Sequence, residues 1–264
     1  MRRHSSILML YARSTLGKVG MMILLLAVLQ SLLFWGSMER NWDNAIETAA
    51  YAEERNKELG EIRSTNPANY MECVDGIWDE SLSSVLFAVA VIALTVVLTA
   101  TGWERKEKVS YTLNRLSVSG REIFLWNGLY NTICFFLLWS AEIFIILGVG
   151  LWYMRWVGDE TGPHTMFLAF YRSRFFHNLF PLEDMGCWIR NGILCISLGF
   201  SSAASTYVQR RDGKMGGAVI PVVGVAFLAF LQEESIFANY LLIMVCCIFL
   251  LGVVFNSVFL KGEA

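Results

Sequence analysis

The sequence is short of charge. Asp, Glu, Lys and Arg make up 17% of its 264 residues, against about 25% in an ordinary soluble domain, which is too little to cover a water-facing surface. It also lacks the usual marks of catalysis and metal binding. No H-E-x-x-H or G-x-S-x-G occurs and no apolar run holds a paired Asp motif, while the six cysteines show neither C-x-x-C nor Cys/His ligand spacing. A phosphate-cradling loop is missing as well. The nearest approach to G-x-x-x-x-G-K-[ST] is Gly17-Lys18, which is followed by Val19 and has Ala12 where the first glycine should stand. Low-complexity tracts and internal repeats are absent. An enzyme is therefore not expected, no metal or cofactor is expected on this chain, and no nucleic-acid partner is expected.

What is present is apolar length. Hydrophobic residues make up 55% of the chain, and a helix needs about 20 of them in a row to cross a bilayer core. Six runs qualify, at 19–38, 82–101, 123–153, 187–207, 215–231 and 236–260, the fifth being the shortest. The expected fold is all-α: one polytopic transmembrane domain of six helices over 1–264, with loops too small to hold a soluble domain. The first run is too long for a cleaved signal. Ahead of it, residues 1–18 read as a basic amphipathic helix lying on the inner membrane surface.

Charge distribution gives the orientation. Arg2, Arg3, Arg13 and Lys18 precede the first run, Arg105, Lys106, Lys108, Arg115 and Arg121 fill the second loop, and Arg210, Arg211 and Lys214 crowd the fourth. The first loop, 39–81, instead carries 11 acidic residues against four basic ones. Basic residues stay on the cytoplasmic side, so both termini are expected there. Trp35, Trp78, Trp103, Trp152 and Trp188 fall at span ends, the depth that suits an amphipathic ring. Trp139 lies inside a span and requires a packing reason. Cys73 and Cys187 both fall on the outer side, which leaves a disulfide between them open.

The loops carry local signals. Residues 48–64 have helical propensity, ended by the Asn66-Pro67 turn. The outer loop 154–186 contains Phe167, Phe170, Tyr171, Phe175 and Leu179 near helical spacing, which predicts an interfacial or re-entrant helix stopped by Pro181. Asp212-Gly213 marks a tight turn, and Ser235 an N-cap for the last span. Pro221 predicts a kink in the fifth span.

The most patterned stretch is WERKEKVSYTLNRLSVSGREIFLWN, 103–127. Val109, Leu113 and Leu116 stand at i, i+4 and i+7 on one helical face, with Arg105, Lys108 and Arg115 on the others. Ser119-Gly120-Arg121-Glu122 is then an S-x-x-E capping box that starts a new helix near Gly120. Such a helix either lies on anionic lipid or docks its apolar face into a soluble partner.

This stretch resembles the segment after the second span in permease subunits of ABC-2 type exporters. Glu104-Arg105, Ser110, Thr112-Leu113 and Leu116-Ser117-Val118-Ser119 match the acidic-basic pair, the small residue, the Thr-Leu and the closing turn. Ser117 stands where the family usually has Pro, and the acidic first loop is longer than in the plainest members. The whole plan is similar too: six spans, both ends inside and about 260 residues. The resemblance implies that 103–121 is a coupling helix, with Lys108, Val109, Thr112, Leu113, Arg115 and Leu116 docking on a cytoplasmic ABC ATPase. It implies a second permease subunit, identical or related, in a bacterial cytoplasmic membrane, with ATP and Mg held by the partner ATPase. Membrane lipids are the remaining partner.

Polar residues within the spans are the other candidates. A charge at mid-span costs about 2.5–3.5 kcal/mol on insertion scales, so Glu142 is either a contact on a translocation path or a hydrogen-bonded carboxyl that joins helices. Asn131 is a second path candidate. Ser197, Ser201 and Ser205 recur at i, i+4 and i+8 beside Gly199 and Ala203, which reads as close helix packing or as a polar lining. Arg190, near the outer end of the fourth span, is expected to snorkel to the surface.

Overall fold

The first helix continues well past the apolar run that begins it. In the computed structural model, which describes residues 2–59, 83–100, 119–157, 173–182, 184–212, 217–231 and 236–257, α1 is a single helix, Arg2–Leu59. A surface helix over 1–18 was expected to be distinct from the span, but no break separates them. Gly17 and Gly20 are accepted within the helix, and a Cβ at either would meet nothing within 4 Å. Tyr11, Thr15, Val19, Leu26, Gln30 and Phe34 form its buried stripe, spaced by four or seven residues. Tyr11 and Thr15 thus bring this part of α1 against the bundle. Met21, Leu24, Leu25, Val28, Leu29 and Leu32 are exposed on the other side. A helix apolar all round belongs in lipid.

Six more helices follow among the described residues. They are α2 (Ser83–Ala100), α3 (Gly120–Val157), the short α4 (Arg174–Leu179), α5 (Met185–Asp212), α6 (Val219–Leu231) and α7 (Ile236–Phe255). Among the described residues there is no strand. Four stretches are long and apolar enough to cross a membrane: Leu8–Gly36 in α1, Ser83–Ala100, Gly120–Trp152 in α3, and Phe237–Phe255 in α7. The protein is therefore an all-helical membrane protein.

At the centre stands α5, against α2, α3, α6 and α7, while α1 packs on α2 and α3. On α5 the polar side chains of Arg190, Asn191, Ser197, Ser201, Ser202, Ser205, Thr206 and Gln209 are buried. Lipid cannot hydrogen-bond a polar group, so such side chains turn inward and apolar ones face out. That inversion explains why α5, the most enclosed helix, is not among the four most apolar ones. Hydroxyls in the bundle return to the backbone four residues earlier: Thr95 to Val91 O at 2.8 Å, Thr132 to Gly128 O at 2.8 Å and Thr206 to Ser202 O at 2.9 Å.

Two local expectations change. Because α6 begins at Val219, Pro221 occupies its first turn, where a missing N–H breaks no intrahelical bond, so it does not kink the middle of a span. Of the outer-loop helix, Arg174–Leu179 is described and is tucked inside, with Phe175, Phe176, Asn178 and Leu179 buried, while Phe167, Phe170 and Tyr171 lie outside the described residues.

Candidate functional site

Much of the patterned loop, including Lys108, Val109, Thr112, Leu113, Arg115 and Leu116, lies outside the described residues, as do Cys73, Asn66-Pro67 and Ser235. The loop's far end is described. Ser119 precedes α3 and accepts from the Glu122 backbone N–H through Oγ at 3.3 Å and from the Ile123 N–H through its carbonyl at 3.2 Å. The first of these meets a donor that a helix start leaves open, and the second is the first i→i−4 bond of α3.

Within the bundle the polar side chains fall into four groups. The first joins α1 to α3: Gln30 Nε2 donates to Glu142 Oε1, and both side chains are buried, at 1% and 0% exposure. Gln30 Oε1 and Glu142 Oε2 have no hydrogen-bond partner. Glu142 is thus a contact between helices, and Gln30 is a partner that sequence reasoning missed. The only available signal was a lone glutamine inside an otherwise apolar run.

The second group is the crossing of α3 and α5. A Cβ built at Gly199 would stand 2.2 Å from Thr132 Oγ1, 2.6 Å from the Thr132 nitrogen and 2.7 Å from its Cα, so the two backbones touch. Asn131 Nδ2 donates to Gly199 O at 3.5 Å across the same contact. Ser197, Ser201 and Ser205 are all buried on α5, and Ser197 Oγ donates to Cys246 O on α7 at 3.4 Å. The path candidates Asn131, Ser197, Ser201 and Ser205 therefore lie in helix contacts, with Glu142 in a separate one.

The third group, at the α4 end of the bundle, gathers around Arg190. Its exposure is 3%, so it does not snorkel. Its Nη1 donates to Asn239 Oδ1 on α7 at 2.6 Å, its Nη2 to Asn178 O at 3.1 Å and Oδ1 at 3.2 Å, and its Nε to Asn191 Oδ1 at 3.2 Å. The fork of the guanidinium matches oxygens from α4, α5 and α7 at once. Asn191 Nδ2 adds a bond to Asn178 O at 2.9 Å. Trp139 finds its packing reason here, since its Nε1 donates to Leu179 O at 3.0 Å and its ring meets Trp188 edge-on at 5.3 Å.

Asp184 caps α5 beside this group, accepting from Gly186 N at 2.7 Å and from Cys187 Sγ at 3.2 Å. The Cys187 thiol, then the Gly186 amide, holds its carboxyl below the ordinary value of 3.8. The Cys187 thiol is engaged with Asp184, and Cys73, with which a disulfide was left open, lies outside the described residues.

Comparison with family models, with curated proteins and with solved structures gives no match for this chain. Function must be argued from the residues themselves.

The fourth group lies at the opposite end of α5, where Arg210 reaches the first helix. Its Nη1 donates to the Tyr11 hydroxyl at 2.9 Å and its guanidinium stands 5.6 Å from the Tyr11 ring centroid. Tyr11 stacks on Tyr130 at 6.1 Å, and the Tyr130 hydroxyl shares a 2.6 Å hydrogen bond with Thr15 Oγ1. The start of α1 is thereby pinned to both α3 and α5. Sequence reasoning treated Arg210 only as loop charge. Among the described residues, no group of three or more His, Cys, Asp or Glu side chains could hold a metal ion.

Proposed function

We propose that this chain is the permease subunit of an ATP-driven exporter of the ABC-2 type. The carrying observation is the 103–127 motif: an apolar face flanked by basic residues, then a capping box that opens directly into a helix built into the bundle. A loop joined this way passes a push from a docked ATPase straight into α3, and so to α1 and α5, which pack on it. The chain has no phosphate-cradling loop of its own, so ATP and Mg belong to the partner subunit.

In this reading the spans number six. The 28 residues of α5 extend about 42 Å at 1.5 Å per residue, enough to cross a core of about 30 Å, while α6 with 13 residues is the short one. Both termini and the basic loops face the cytoplasm. The buried positions of Asn131, Glu142, Ser197, Ser201 and Ser205 favour a translocation path between two permease subunits over one through a single bundle.

Co-purification from mild detergent tests the reading, with the chain expressed together with its genomic neighbours. A soluble ATPase should accompany the wild type and be lost from a folded Leu113→Asp/Leu116→Asp variant. Absence of an ATPase from both removes the docking role and leaves a membrane scaffold or immunity protein as the better account.

A further inference from the structure

Glu142 and Arg190 are the charged side chains buried among the described residues, and they are compensated differently. Arg190 donates to oxygens on three helices. Glu142 receives one hydrogen bond, from the amide of Gln30. Its second oxygen, Oε2, is sealed from solvent without a donor, and the carbonyl oxygen of the same Gln30 is sealed without a donor too. An ionised carboxylate offers acceptors only, and so does an amide oxygen. Two acceptors in one closed contact call for a donor between them, and a buried polar group left unmade is costly.

Among the described residues, no cation supplies that donor. On α1, Arg13, Lys18, Glu39 and Arg40 are exposed, as are Arg121 and Glu122 on α3. The buried residues of α2 include no charged group, His177 on α4 is half-buried, and on α5 Arg210 reaches Tyr11. The surroundings of the pair are apolar, with Leu26 and Phe34 on α1 and Trp139, Ile143 and Ile146 on α3.

We propose that Glu142 is a proton-binding site: its Oε2 carries a hydrogen donated to Gln30 Oε1, while Gln30 Nε2–H donates to Glu142 Oε1. Acid and amide then form a closed two-bond ring that uses both orphaned oxygens. The bound ligand is a single proton, taken from water as the O–H bond forms. With the proton in place the contact is neutral and joins α1 to α3; without it, the contact holds a bare charge and opens. This inference does not depend on the exporter reading, because its test needs neither ATPase nor cargo.

The test is infrared spectroscopy of purified, lipid-reconstituted protein at neutral pH, with Glu142→Gln as the subtraction partner. The expected difference is loss of one protonated-carboxyl C=O band; loss of carboxylate bands alone overturns the proposal. Gln30→Leu, which keeps the acid but removes its partner, should move that band to higher frequency, and an unmoved band also overturns it. Thermal unfolding gives an independent reading. Glu142→Gln, which can donate and accept as the acid does, should unfold near the wild type, with Glu142→Ala well below. Equal losses in the two variants contradict a neutral pair.

Discussion

Adding one methyl group at Gly199 should separate the two helices at the heart of the bundle. Its new Cβ would meet Thr132 Oγ1 at 2.2 Å, the Thr132 nitrogen at 2.6 Å and its Cα at 2.7 Å. Two of those three atoms are backbone, so no rotamer change relieves the clash. Overpacking of this kind costs about 1–3 kcal/mol. Widening the crossing also weakens the hydrogen bond from Asn131 to Gly199 O, worth about 1 kcal/mol. Against these losses, replacing a helical glycine by alanine gains about 0.5–1 kcal/mol. The net expectation for Gly199→Ala is a destabilisation of about 1–3 kcal/mol. The control is Gly224→Ala on α6, an exposed site with nothing within 4 Å, which should be neutral or slightly stabilising. The mechanism can be separated from general fragility through a second crossing contact. The three atoms nearest to a Cβ at Gly128 all belong to the Phe200 ring, at 2.6, 2.7 and 3.2 Å, so Phe200→Leu should rescue Gly128→Ala. Thr132→Ala should not rescue Gly199→Ala, because the nitrogen and Cα remain. Thermal unfolding of these variants in one detergent reads all of this. If Gly199→Ala unfolds with the Gly224→Ala control, or if Thr132→Ala restores it, the backbone-contact reasoning is wrong.

Other consequences follow from the α4 end of the bundle. Arg190→Lys should destabilise nearly as much as Arg190→Met, since one ammonium cannot replace a fork reaching Asn178, Asn191 and Asn239; each orphaned oxygen costs about 1–3 kcal/mol, and a wild-type-like melting point for Arg190→Lys would refute the geometry. Trp139→Phe should lose about 1–2 kcal/mol from its bond to Leu179 O and its contact with Trp188, and chemical denaturation should show the loss. At the start of α5, Asp184→Ala should cost about 1 kcal/mol of helix capping, whereas Asp184→Asn keeps the cap but loses the charge. Because the Asp184 carboxyl is held below its ordinary value, its charge contributes above that value and the contribution is lost as pH falls through the lowered one. The stability gap between wild type and Asp184→Asn should therefore be steady near neutrality and close in strong acid; a gap that widens on acidification would reverse the assignment.

Legibility in the sequence depended on whether a signal was local. Both α2 and α7 lie within uniform apolar runs, and the start of α3 follows from Ser119 and Glu122. The serines of α5 advertise close packing by their spacing. The extent of α1 was harder, because an apolar run reports where lipid suits the chain and not where the helix stops. From 37 to 59 the sequence is rich in Ala and Glu and contains neither Gly nor Pro, so nothing breaks the backbone before Gly60. The buried polar contacts were hidden for another reason. Arg190 looked free to snorkel because the oxygens that hold it come from Asn178 and Asn239, 12 and 49 residues away. Glu142 finds its amide 112 residues earlier, and Trp139 its carbonyl 40 residues later. Periodicity identifies the helix face on which such a residue sits but carries no information about what the facing helix presents.

The central functional claim, that the 103–121 loop docks on an ATPase, is tested most directly by photocrosslinking in native membranes. A photoreactive amino acid at Leu113 should capture a cytoplasmic ATPase subunit, while the same probe at the exposed Met244 of α7 should not. Capture of lipid alone from position 113, under conditions where the chain is folded and its neighbours are expressed, would contradict the account.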